Sequence, residues 1–160
     1  MRRSTVVLCV WLSACSLAAG QESSRSEFQP LVTAFLSSWN KHDPRAFTQL
    51  FDTDGVIITV GGTHVQGSAE IEKYMQGLFT GASFEKSVYS ATIMLGRRIS
   101  PEVGIIDLSW EMTGALFRDG TPRGLRKGTL NWVVRYKGGE WRIVSYHNAE
   151  FAQNANSPAK

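Results

Sequence analysis

The sequence predicts an α+β domain in which three N-terminal helices pack against a curved, mainly antiparallel sheet. Three observations point there: apolar residues recur at helical spacing early in the chain, a β-branched hairpin and one further helix follow, and long alternating strand-like runs fill the second half. The length after a leader suits one domain, read as residues 27–152.

Residues 1–20 read as a signal peptide. Arg2 and Arg3 give a basic start, Val6 to Leu12 an apolar run too short to span a bilayer, and small residues follow. Export is the expectation, and two processing sites compete. Leu12-Ser13-Ala14-Cys15 resembles a bacterial lipobox. Cys15 would then be acylated and, with Ser16 behind it, would anchor a periplasmic protein at the outer membrane. Ala18-Ala19-Gly20 instead suits ordinary signal peptidase and a free periplasmic or secreted product. Cys9 and Cys15 both fall in the leader, which leaves the domain without disulfide or thiol nucleophile. Removing Arg2 and Arg3, with no acid, lowers the formal charge from +3 to +1 and gives a nucleic-acid partner no footing.

Polar residues 21–26 read as a tether. Phe28, Leu31, Val32, Phe35, Leu36 and Trp39 then form one apolar stripe on a first helix, with Ser26 and Gln29 as a capping box and Pro30 in the first turn. After Lys41-His42, Asp43 caps a short second helix opened by Pro44 and bearing Ala46, Phe47, Leu50 and Phe51. Val56 to Val60 is a strand turned back by Gly61-Gly62 into Thr63 to Gln66. Ser68 caps a third helix carrying Ile71, Tyr74, Met75 and Leu78 and ending near Gly81.

Strand-like runs follow at Phe84 to Leu95, Val103 to Phe117, Gly128 to Tyr136 and Trp141 to Phe151, the last two joined by a Lys137 to Glu140 turn. In the second run Ile106, Leu108, Trp110 and Met112 share one face, and Asp107, Ser109, Glu111 and Thr113 the other. Strict alternation in the last run puts Trp141, Ile143, Ser145 and His147 together, so an imidazole is expected on the inner face. Asn148 points the other way unless a bulge re-aims it. Residues 153–160 read as a disordered tail.

Four segments carry a resemblance: Phe35 to Asp43 (FLSSWNKHD), Leu50 to Val56 (LFDTDGV), Gly67 to Ile71 (GSAEI) and Gly139 to Asn148 (GEWRIVSYHN). Together they resemble the nuclear transport factor 2-like superfamily, and within it the SnoaL-like proteins. The resemblance spans roughly Phe28 to Phe151 and implies a cone-shaped fold with an interior cavity, often a homodimer through the outer sheet face. It implies no single chemistry, because relatives include isomerases, dehydratases, cyclases and non-catalytic association domains. The ketosteroid isomerase mechanism needs a carboxylate base, a tyrosine and a neutral acid. Aligned on the shared elements, those places fall at Thr59, at Phe35 and near Asn131 or Trp132, none of which can do the work.

Candidate site residues follow. His147 suits a general base or a hydrogen bond to a ligand carbonyl, with a structural histidine as the alternative. Asp54 is a second catalytic candidate, with turn-making as the alternative, and Asp52 reads as solvated. Trp39, Tyr74, Trp110, Met112 and Trp132 line or fill a pocket of several hundred Å³, with Thr113, Asn131 and Ser145 as polar contacts. Arg118, Arg123, Arg126 and Lys127 read as a solvated loop, with a rim that attracts an acidic ligand or nearby membrane headgroups as the alternative. No histidine pair has metal-ligand spacing and no phosphate or dinucleotide motif is present, so no metal or cofactor is expected. The expected role is binding of a small, mostly apolar molecule, with lyase or isomerase chemistry an open question. The alternative is a non-catalytic association module with a filled core.

Overall fold

The computed structural model describes residues 12–152, with side chains from residue 26 onward. Cys9 and the tail at 153–160 lie outside the described residues, as does the Cys15 side chain. Three helices, α1 (Leu12–Asn40), α2 (Pro44–Thr48) and α3 (Ser68–Thr80), cover one face of a six-stranded sheet. Its strands are β1 (Phe51–Ile58), β2 (His64–Gln66), β3 (Val88–Ser100), β4 (Val103–Thr113), β5 (Arg126–Lys137) and β6 (Glu140–Glu150), in the order β2-β1-β6-β5-β4-β3. Every neighbouring pair is antiparallel except β1 with β6, which makes the curved sheet mixed. The expected α+β class holds.

Local chemistry accounts for most boundaries. Asp43 caps α2 by accepting from the Ala46 amide at 2.9 Å, and Pro44 opens it. Three details differ from the sequence reading. The first helix runs through residues 21–26 without a break, so Ser26 is interior rather than a cap. Gly67, at φ 85°, holds the cap position of α3 and Ser68 is its first residue. β1 begins at Phe51, because Phe51 pairs with Ile143 of β6.

The core sits between α1 and the concave sheet face. Phe28, Val32 and Phe35 are fully buried, and the Phe35 ring meets Phe47, Tyr89 and Trp132 with centroids 5.0 to 5.6 Å apart. Edge-to-face geometry of this kind adds to the area term that drives burial. Gly128 lets the sheet accept an indole, since a Cβ there would lie 2.5 Å from the Trp110 ring and collide with the Ala149 carbonyl.

One irregularity decides the site. Val134 pairs with Ile143 but Val133 pairs with Ser145, so Val144 is an extra residue on β6. A bulge of this kind shifts the alternation of everything after it.

Candidate functional site

Trp141 and Ile143 face the core as alternation predicts. Beyond the Val144 bulge the phase inverts, so Tyr146 is buried and Asn148 lines the interior, while His147 is exposed. His147 therefore stands on the outer sheet face opposite Asn131, which is exposed as well and donates to Asp107 at 2.6 Å. Thr113 and Ser145 share that outer face, because their strand neighbours Met112 and Tyr146 are the buried ones. Four expected interior groups, His147, Asn131, Thr113 and Ser145, are thus outside the pocket. Asp54 is exposed on β1 and away from it too. Asp52 is not solvated: it is buried, accepts from the Thr53 amide at 2.8 Å and pairs with Arg135 at 2.9 Å.

A cavity of about 70 Å³ lies between α3, the sheet and the loop around Phe84. Trp39, Tyr74, Trp110 and Met112 line it. Trp132 does not; it is wholly buried and stacks on Tyr146, with centroids 6.2 Å apart, filling the middle of the cone. That packing is why the hollow is far smaller than several hundred Å³. It is about half the ~150 Å³ of an apolar cavity that admits benzene. A wider surface cleft of about 580 Å³ lies outside, between β2 and α3. Tyr74 and Leu78 line both spaces, so these two side chains stand between solvent and interior.

Two polar groups of the cavity, Asn148 and the Tyr146 hydroxyl, come from positions the alternation rule misplaced. Asn148 donates through Nδ2 to the Tyr146 hydroxyl at 3.4 Å, while its Oδ1 is buried without a partner. Nε1 of Trp110 is also buried and unpartnered. Thr59 lines the wall beside Tyr74, whose hydroxyl it hydrogen-bonds. Burial pushes the tyrosine hydroxyls of Tyr146, Tyr89 and Tyr74 up, so they remain protonated at neutral pH.

Arg126 overturns the reading of a wholly solvated loop. It is buried, continues the inward phase of Gly128, Leu130, Trp132 and Val134, and lines the cavity. Its Nε and Nη2 donate to the two oxygens of Glu150, both at 2.7 Å, and Nη1 reaches the Met112 sulfur at 3.3 Å. Arg123 approaches the same carboxylate at 3.7 Å. Hydrogen bonds from Arg126 and its charge hold the Glu150 carboxyl below its ordinary value. The period-two pattern of β5 carried a signal for Arg126; nothing in the sequence marked the bulge that brings Asn148 and Glu150 inward.

Among the described residues, no three His, Cys, Asp or Glu side chains converge as a metal-binding group, and no helix is long and apolar enough to cross a membrane.

Comparison with known proteins gives a consistent picture. Residues 32–146 match the family described as the SnoaL-like domain. Among solved structures, an uncharacterized protein with a cystatin-like fold from Caulobacter vibrioides superposes with a TM-score of 0.72 at 22% identity, covering 81% of this chain and 91% of that one. A nuclear transport factor 2-like superfamily protein from Salmonella enterica gives 0.67 at 22% identity, covering 87% and 99%. A ketosteroid isomerase-like protein from Erwinia carotovora atroseptica gives 0.67 at 16%, covering 81% and 98%. At these identities the likeness speaks for the fold alone. No protein of curated function matches the chain.

Proposed function

Since the chain belongs to the SnoaL-like domain family, we propose that it binds a compact, mostly apolar molecule in the interior cavity, reached past Tyr74 and Leu78. The observation that carries this reading is the pair of orphaned polar atoms, Asn148 Oδ1 and Trp110 Nε1, on residues that line an otherwise aromatic and aliphatic hollow. An unpaired buried group costs about 1–3 kcal/mol, and a ligand that supplies one donor and one acceptor recovers it.

Trp39 and Trp110 line the cavity, so occupancy is expected to change indole fluorescence and raise the melting temperature. The test is a titration of five- to seven-atom compounds against the protein and against Leu78→Trp, which fills the approach. Equal responses from both proteins, or none from either, remove the cavity as the site. Catalysis is the finer question. The raised tyrosines and the depressed Glu150 are fixed donors and acceptors at neutral pH, so isomerase, dehydratase or cyclase chemistry here would run through oriented hydrogen bonds rather than proton exchange with these groups.

One observation favours an association module instead: the centre of the cone is filled by Phe35, Tyr89 and Trp132. In that reading the outer face, where half-buried Val56, Ile105 and Val133 surround Asp107, Asn131 and His147, joins two copies. Sedimentation of Ile105→Lys separates the cases, because a dimer through this face would fall to monomer. For location, the leader pattern supports export with anchoring through Cys15; a Cys15→Ala protein that still fractionates with membranes removes that assignment.

A further inference from the structure

We infer that the molecule held in the cavity is a small neutral alcohol, its hydroxyl donating to Asn148 Oδ1 and accepting from Trp110 Nε1. This deepens the binding proposal above and rests on the cavity being a ligand site.

The strand register sets the two orphaned atoms at adjoining places on the wall. Trp110 pairs with Gly128 across β4 and β5, and Gly128 pairs with Glu150 of β6. With no side chain at Gly128, the indole lies across it, its Cε2 and Cζ2 atoms 2.6 and 2.5 Å from where a Cβ would stand. Nε1 is bonded to Cε2, so the ring carries its donor over β5, next to β6. Asn148 precedes Glu150 by two residues on that strand and, after the Val144 bulge, faces the same interior.

Counting donors and acceptors selects the ligand group. Among the described residues that line the hollow, Arg126 is the one ionised, and its Nε and Nη2 are already matched by the two oxygens of Glu150. An ammonium ligand would face that guanidinium. Asn148 Oδ1 can only accept, and Trp110 Nε1 can only donate. A carboxylate, ketone or ether has no hydrogen to give Oδ1. A primary amide brings two N–H groups to one open acceptor and buries the second unpaired. A hydroxyl has one hydrogen to give and lone pairs to receive, which is the count this wall presents. Size sets the rest of the molecule: about 70 Å³ admits a short alkyl group, whereas a ring as large as benzene requires Tyr74 and Leu78 to move.

Titration of butan-2-ol and of butanone, followed by proton–nitrogen correlation NMR, tests the hydroxyl on one carbon skeleton. Both compounds are expected to shift the indole N–H signal of Trp110, identified by its loss in Trp110→Phe, because both present an acceptor. Asn148→Leu removes Oδ1 at similar bulk. The alcohol-to-ketone affinity ratio is expected to be about five- to a hundredfold higher in the native protein than in this variant, the range for one buried acceptor left unpaired. Comparing ratios cancels the difference in hydration between the two compounds. Asn148→Asp keeps the acceptor and charges it, so it is expected to raise the ratio, and it serves if the leucine variant does not fold. An equal ratio in the native protein and Asn148→Leu, or no rise in Asn148→Asp, overturns the alcohol assignment and leaves the cavity standing. A Trp110 signal that neither compound moves overturns the cavity reading and this inference together.

Discussion

Glu150 ties the end of β6 to Arg126, and its replacement by glutamine leaves a buried guanidinium without full charge compensation. Glu150→Gln is expected to destabilise the fold by about 3–5 kcal/mol, read from denaturant melts. The same carboxylate sets an acid limit. Its folded-state pKa lies below the ordinary 4.5, so its contribution is complete above that pH and is lost as the pH falls through the depressed value. The variant should show a flatter stability profile in that acid window. His147 is the opposite case. Being exposed on the sheet's outer face, His147→Ala is expected to change stability by less than about 0.5 kcal/mol and to leave ligand-induced fluorescence unaltered. A large loss of either would place the imidazole inside. At this scale the sequence was legible where side-chain chemistry and period agreed, as for Trp39, Tyr74, Trp110 and Met112. It misled at His147 and Ser145, whose phase the Val144 bulge inverts, whereas Thr113 and Asn131 were named on residue type although the strand period already set them on the face opposite Met112 and Trp132.

At the scale of single elements, the inversion is the work of Val144. β-branched and fully compatible with a strand, it sits beside Ile143 without any turn or glycine signal, so a period-two reading passes over it. Deleting Val144 would close the bulge and leave Tyr146 and Asn148 inward and His147 outward, so a cooperative melting transition is expected to survive with a loss of about 0.5–3 kcal/mol; a collapsed transition would show that the bulge itself is needed for the strand's bend. β5 carries a second sensitive point. Gly128→Ala would press a methyl group into the Trp110 ring and the Ala149 carbonyl, and an overpacking loss of about 1–3 kcal/mol or more is expected in thermal melts. The helices were easier to read: Asp43-Pro44 and Gly81 delimit α2 and α3 by capping chemistry that acts within a few residues. α1 carried a false mark, the Ser26 and Gln29 box, which lies inside the helix.

For the molecule as a whole, the order of helices, hairpin, helix and antiparallel strands was legible because each element announces its own period. The volume left inside was not. It depends on how Phe35, Tyr89, Trp132 and Tyr146 interlock, a property of four chain segments meeting rather than of any one. The strand order has a further consequence. β6, the last to be made, lies between β1 and β5 and joins the two halves of the sheet. Until it leaves the ribosome, β1 with β2 and β3 with β4 and β5 have no shared ladder, so the sheet stays open until β6 is made. A chain that stopped before Glu140 would therefore hold two unjoined fragments of sheet for proteases to clear.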